Sequence, residues 1–295
     1  MPHPSPTQGY LLALLIVVIW SGFVLVARMG GVSPLTPYDV VAIRLGTAFL
    51  IVLPLARRHA SRPLFAPRPL ALAATGGLGY TLLAFAGFHL APASHAAVLL
   101  SGFQPFAVTL FCWLVLGERP SSRRSFGILL IAAGAALLGA RIVRAGAGDW
   151  PGDLLFIGAS LCLAFYTVLA RHWRIGPWAV TVNVGLLSAL IYLPVYVLAL
   201  PKGLARAGWG DIALQAAYQG VLAAVLQTAI YMRAVQILGP SRMSMLVALV
   251  PPLAALGAAL FLHEPLTATI LSSLTLVFLG VVVGNKAPRL VPKEA

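Results

Sequence analysis

The chain has 295 residues, 60% of them hydrophobic and only 9% charged, with a mean hydropathy of +0.95. Soluble domains are about 25% charged, so this chain lacks the polar residues to cover a water-facing surface, which excludes a soluble globular protein and implies an integral membrane one. The net charge of +13, from 20 Lys and Arg against 7 Asp and Glu, is dispersed between apolar runs; a nucleic-acid reader needs a continuous basic face, so the partners implied are the lipid bilayer and its headgroups, and no nucleic acid.

A bilayer-crossing helix takes about 20 predominantly apolar residues. Polar and Pro/Gly-rich breaks divide the chain into ten such spans, at 9–29, 37–57, 70–90, 94–116, 123–142, 151–172, 177–200, 212–238, 241–262 and 268–286. Met1 to Gly9 holds no Lys or Arg and no small-residue cleavage site follows the first apolar run, so that run is read as a retained helix. Two breaks are very short, Ala91 to Ala93 and His263 to Thr267, and Pro92 and the Glu264–Pro265 pair mark them as turns. With the N-terminus inside, 13 Lys and Arg fall on the inner side and 5 on the outer, with Arg44 and Arg233 inside spans. That asymmetry favours both termini in the cytoplasm; the expected location is the inner (plasma) membrane, multi-pass. Cys112 and Cys162 lie in apolar runs with no CxxC or Cys/His grouping, so no disulfide, metal or other cofactor is implied.

The two halves repeat. GYLLALLIVVIWSGFVLVAR, from Gly9 to Arg28, matches GDLLFIGASLCLAFYTVLAR, from Gly152 to Arg171, at a constant offset of 143. Pro37 and Pro54 have the spacing of Pro177 and Pro194; Pro105 and Glu118 in QPFAVTLFCWLVLGERP have that of Pro251 and Glu264 in PPLAALGAALFLHEPL, and Gly134 answers Gly280. The expected architecture is all-α, ten transmembrane helices in two five-helix repeats, 1–146 and 147–295, forming one membrane domain. Because five is odd, the second copy enters from the opposite side, and inverted repeats of this kind belong to secondary transporters with a site near midplane.

Several residues carry polar or aromatic groups to the depth where a transport site would lie. Trp20, Tyr80, Gln104 and Gln227 fall near the centres of their spans, Tyr166 just past centre, and Tyr231 one turn beyond Gln227. The glutamines are candidates to bind a substrate amine or carboxylate or, alternatively, to join helices; the aromatics are candidate cavity walls or core. Ser244, like Ser101, is a weaker binding candidate that can instead bond its own helix.

Arg44 sits roughly 10 Å deep at 1.5 Å per residue. It is read either as an attractor for a carboxylate or, with more weight, as a structural partner of Asp39 or of helix-end carbonyls, and its counterpart Val184 is apolar. Pro105 and Pro251 should interrupt the fourth and ninth spans, as bending points or as static shapers of a cavity. Glu118 and Glu264 close those spans and are candidate gate latches with nearby Arg or helix N-termini. His89 and His95 flank the turn after the third span and are read as interfacial. Ala135 with Gly139 and Gly280 with Gly284 have small-xxx-small spacing, so spans five and ten should pack together, within one chain or across a dimer. The internal duplication favours a monomer.

The paired repeats, WSGFVLVAR ending the first span, Arg44, LAPASHAAVLLSGFQPF with LGERP, and LGPSRMSMLVALVPP with FLHEP together resemble the drug/metabolite transporter superfamily, in particular its ten-helix EamA-type exporters. Within that family the chain looks most like exporters of neutral and aromatic amino acids. The resemblance implies export of small metabolites from the cytoplasm by alternating access through a central cavity. The small multidrug members carry a glutamate in the first span, whereas this chain has Trp20 and Ser21 there and no Asp or Glu at the middle of any span. Proton antiport is therefore unsupported, and facilitated export down a gradient stays open. An organic phosphate, nucleotide-sugar or drug exporter of the same superfamily is the alternative. An intramembrane enzyme is not expected, since no catalytic Ser/Lys, Asp pair or His cluster lies at mid-span.

Overall fold

The computed structural model describes residues 5–31, 33–61, 63–91, 96–143, 150–254, 256 and 268–286, and among these there is no strand. The main helical segments are α1 (Pro6–Gly31), α2 (Pro37–Val52), α3 (Pro67–Leu90), α4 (Leu99–Leu116), α5 (Ser122–Val143), α6 (Trp150–His172), α7 (Pro177–Ala199), α8 (Trp209–Leu238), α9 (Pro240–Val247) and α10 (Ala268–Asn285). Among the described residues six of them, α1, α3, α4, α6, α7 and α8, are long and apolar enough to cross a membrane.

Two segments depart from the expected boundaries for reasons of backbone chemistry. α2 stops at Val52, short of residue 57, because Pro54 has no N–H to continue the ladder; Leu53–Leu55 form a turn and one helical turn follows at Ala56–His59. α9 stops at Val247, turns through Ala248 and Leu249, and becomes helical again from Val250, just before Pro251. α4 is likewise broken at Phe103, just before Pro105. Each break falls where a proline withdraws a donor from the turn. α3 ends at Leu90 with Ala91 extended. Pro92, Ala93 and His95, and the whole second short turn with Glu264 and Pro265, lie outside the described residues.

The helices pack in a reciprocal scheme. α1 lies against the second half of α8 and α3 against α6; α2 pairs with α7, α5 with α10, and α4 lies between α6 and α9. Polar side chains connect several of these pairs, as they must where lipid supplies no partners. Tyr218 donates to the Ile19 carbonyl at 2.6 Å and Gln215 Nε2 to the Val26 carbonyl at 3.2 Å, fixing α8 to α1. Asp39 caps α2 by accepting from the Thr36 N–H and hydroxyl, each at 2.7 Å, and reaches the end of α7 through the Gly203 N–H at 2.8 Å and the Tyr196 hydroxyl. Asn183 on α7 accepts from the Ser61 N–H at 2.9 Å and donates to its hydroxyl at 2.7 Å.

α5 and α10 come together within one chain through glycine. A Cβ built on Gly280 would stand 2.6 Å from the Gly127 carbonyl oxygen, and one on Gly127 would stand 2.7 Å from the Gly280 carbonyl oxygen. On α5 the closest approach is thus at Gly127, with Gly134 two turns on against Val277, whereas the sequence drew attention to Ala135 and Gly139. On α10 it is at Gly280 and Gly284, as the spacing suggests. Backbones this close leave no room for a side chain, so Gly280→Val should lower stability by about 2 kcal/mol or more. A drop in the midpoint of thermal unfolding in detergent, with Leu279→Val on the exposed face as the neutral control, is the check.

Candidate functional site

Two adjoining cavities lie in the middle of the helix packing and share Trp20, Arg44, Tyr80, Leu163, Ala223 and Gln227. Together they form one cleft bounded by α1, α2, α3, α6 and α8, which reaches Val184 and Gly185 of α7 on one side and Leu100 and Ser101 of α4 on the other. Free space is small, about 50 Å³ in the first cavity and about 20 Å³ in the second.

Local helix geometry makes this cleft. α3 passes through a widened, π-type stretch at Ala73–Gly79, α8 through one at Ala216–Leu226, and a third at Ala97–Gly102 leads into α4. Such stretches shift the helix phase and often occur at functional sites. Each brings small residues to the wall: Gly76 and Gly77 from α3, Ser101 from α4, Ala223 and Ala224 from α8. Gly76 is a close approach, because a Cβ there would collide with the Tyr166 ring.

Aromatic rings supply most of the wall. Trp20 stacks on Tyr231 with ring centroids 5.7 Å apart and planes 21° from parallel. The Tyr231 hydroxyl lies 3.1 Å from Thr167 Oγ1. Tyr166 is buried and its hydroxyl has no hydrogen-bond partner. Tyr80 lines both cavities close to Arg44.

Arg44 carries the only formal charge among the described residues that line the cleft. It is 9% exposed, and its Nη1 donates to Gln219 Oε1 at 3.0 Å. The pairing with Asp39 weighed from the sequence does not form, since the Asp39 oxygens are taken by Thr36, Gly203 and Tyr196. A guanidinium has five N–H donors, so one neutral acceptor leaves capacity facing the cleft. Gln227, two α8 turns beyond Gln219, lines both cavities with Oε1 unpartnered.

Other expected site residues are placed elsewhere. Gln104 is fully buried outside the cleft lining, where its Oε1 accepts from Ser160 at 3.0 Å while Nε2 has no partner. Ser244 lines neither cavity, and its hydroxyl donates to the Ser241 carbonyl at 2.9 Å. Pro105 is buried beside Gln104, and Pro251 is buried where its helix restarts next to Val250 of the cleft. Glu118 sits beyond the end of α4 in a separate polar cavity with Arg124, Arg171 and Arg242. Burial pushes its carboxyl up, while Arg124 and Arg171 draw it back down. Glu264 lies outside the described residues, and His89 is exposed at the end of α3, away from the cleft.

Sequence reasoning overlooked Gln219, Thr228 and the Gly76–Gly77 pair. Gln219 carried a usable signal, because 219, 223, 227 and 231 form one i, i+4 series on α8. The glycines carried none without the widened turns.

Among the described residues, six helices long and apolar enough to cross a membrane, with an internal cleft among the helices, have the build of a multi-pass membrane protein. The model of the EamA-like transporter family matches this chain twice, at residues 7–140 and 150–285. The chain belongs to that family, in the drug/metabolite transporter superfamily, whose members are membrane transporters of small molecules. Among curated proteins none matches it. A solved crystal structure, titled only as that of a protein, superposes with a TM-score of 0.69 over 95% of this chain and 98% of the other at 22% identity, a likeness of fold.

Breaking the hydrogen bond between Arg44 and Gln219 has a definite consequence. Gln219→Leu leaves the Arg44 guanidinium buried without an acceptor, and should destabilise the protein by about 3 kcal/mol. Thermal unfolding of Gln219→Leu beside Gln219→Glu, which keeps an acceptor, measures it; equal melting of the two variants would refute the account.

Proposed function

We propose that the protein exports neutral or aromatic amino acids from the cytoplasm, by alternating access through this cleft. The observation that carries the reading is the pairing of one buried cation, Arg44, with an unpartnered acceptor, Gln227 Oε1, inside a wall of aromatic rings. A zwitterion has the matching parts. Its carboxylate is met by the free donors of Arg44, its ammonium by Gln227 Oε1, and its side chain by Trp20, Tyr80, Tyr166 and Tyr231. A phosphate ester would bring a second negative charge for which the described lining offers no second cation, which favours amino acids over organic phosphates and nucleotide sugars. Gln104 supports the wall from behind, next to Tyr231.

The same reading includes ten spans in two inverted five-helix repeats, both termini in the cytoplasm, an inner-membrane location and a monomer that needs no cofactor. The reciprocal packing supports it: α1 with α8 and α3 with α6 are the same contact if the halves are related by a two-fold axis, and α2–α7 and α5–α10 lie on that axis. The breaks before Pro105 and Pro251 are equivalent under the same relation and give each half a bending point. The cleft is narrow as it stands, so parting of these helices widens it for a metabolite.

Counterflow of labelled amino acids in proteoliposomes tests the assignment. Saturable flux of neutral and aromatic amino acids, unchanged by a pH gradient, is expected. Gln227→Ala should raise KM about tenfold, the equivalent of one charge-assisted hydrogen bond, and Trp20→Ala should cost most with aromatic substrates. Flux confined to phosphate esters, or unaltered kinetics in normally inserted Trp20→Ala and Gln227→Ala, would overturn it.

A further inference from the structure

The first half of α8 lies against α1 and α2, and it carries three buried amides, Gln215, Gln219 and Gln227, with Ala223 between the last two. Steps of four residues stay close to one face of a helix, and the contacts of these side chains show where that face points. Gln215 Nε2 donates to the Val26 carbonyl of α1 at 3.2 Å, Gln219 Oε1 accepts from Arg44 of α2 at 3.0 Å, and Ala223 and Gln227 line the central cleft. The face therefore runs from the cleft to the side where α1 ends and α2 and α8 begin, a stretch of about 18 Å or less at 1.5 Å per residue. Each amide leaves one end without a hydrogen-bond partner: Gln215 Oε1, Gln219 Nε2 and Gln227 Oε1, in residues that are 1%, 0% and 8% exposed.

An amide that only joins two helices needs one bond, and its orphaned half is costly where no water reaches it. Three such halves along one face have a use if that face opens to a polar guest and its water. We propose that this face of α8 lines the route between the central cleft and the side where α8 begins, with Gln219 and then Gln215 as the groups that a guest leaving the cleft meets. The Gln219 amide N–H suits a carboxylate and Gln215 Oε1 an ammonium, so the two repeat, further along the helix, the pair of contacts that Arg44 and Gln227 offer a zwitterion in the cleft. As the helices stand, the bonds of Gln215 to Val26, of Tyr218 to Ile19 and of Gln219 to Arg44 hold the route shut. The inference rests on the carrier reading of the cleft and adds the path of exit to it; with both termini in the cytoplasm, this side is the outer one.

Gln215→Cys is exposed to a membrane-impermeant thiol reagent in right-side-out and in inverted membrane vesicles, and the modified peptide is located by mass spectrometry, so that Cys112 and Cys162 stay in place. Labelling is expected only from the side where α8 begins, about tenfold or more faster than at Leu226→Cys on the outward-facing surface of the same helix, where a thiol in hydrocarbon stays protonated and unreactive. Counterflow of the amino-acid panel by the wild type in matching vesicles separates this proposal from the reading it rests on. Labelled Gln215→Cys without amino-acid flux overturns the substrate class and keeps the route. Flux with Gln215→Cys labelled from the opposite side, or no faster than Leu226→Cys, overturns the route and keeps the substrate class. If Gln215→Cys fails to insert, Gln215→Asn, which draws the amide back by one methylene, carries the test. Maximal flux about threefold lower at an unchanged KM is then expected, because the guest binds in the cleft and passes Gln215 on leaving, and maximal flux equal to that of the wild type overturns the route.

Discussion

A bilayer core offers no hydrogen-bond partners, and that single constraint accounts for most of what this chain does. It forces the backbone into helices and turns the intramembrane polar side chains inward, where each must find a partner on another helix. Tyr218 on the Ile19 carbonyl, Gln215 on the Val26 carbonyl and Arg44 on Gln219 are all solutions to the same problem. The unpartnered atoms in the protein gain meaning against that background. Gln227 Oε1 and the Tyr166 hydroxyl lack partners beside the cleft, and Arg124 Nε lacks one beside the second cavity.

Packing and mobility are distributed unevenly. α5 and α10 are locked by backbone contact at Gly127 and Gly280, where no side chain intervenes and sliding would meet atoms at once. Around the cleft the helices are less regular, with π-type stretches in α3, α4 and α8 and breaks before Pro105 and Pro251. Helices interrupted at those points bend at lower cost than continuous ones. A rigid pair thus stands beside a more pliable cluster around the cleft.

The electrostatics are divided between two places. Among the described residues the central cleft holds one cation, Arg44, in an aromatic surround. Among the described residues the peripheral cavity is lined by Glu118, Arg124, Arg171 and Arg242 beside the start of α9. Both positions are set by helix ends and helix phase, since Arg44 projects from the middle of α2 whereas Arg124, Arg171 and Arg242 come from helix termini.

The sequence by itself determined the membrane class, the duplication and most helix limits, because hydropathy and proline or glycine punctuation act locally and need no knowledge of the fold. It also brought forward Trp20, Tyr80, Tyr166, Gln227 and Tyr231, since depth along a span can be counted. It did not separate Gln104, which lies behind the wall, from Gln227, which lines it, and it passed over Gln219 as the acceptor for Arg44. Those distinctions depend on helix rotation, which the π-type stretches alter by a fraction of a turn that no residue count reveals. Only the tertiary structure decided which polar groups meet, because lipid-facing and cavity-facing positions on an all-apolar helix differ by rotation alone.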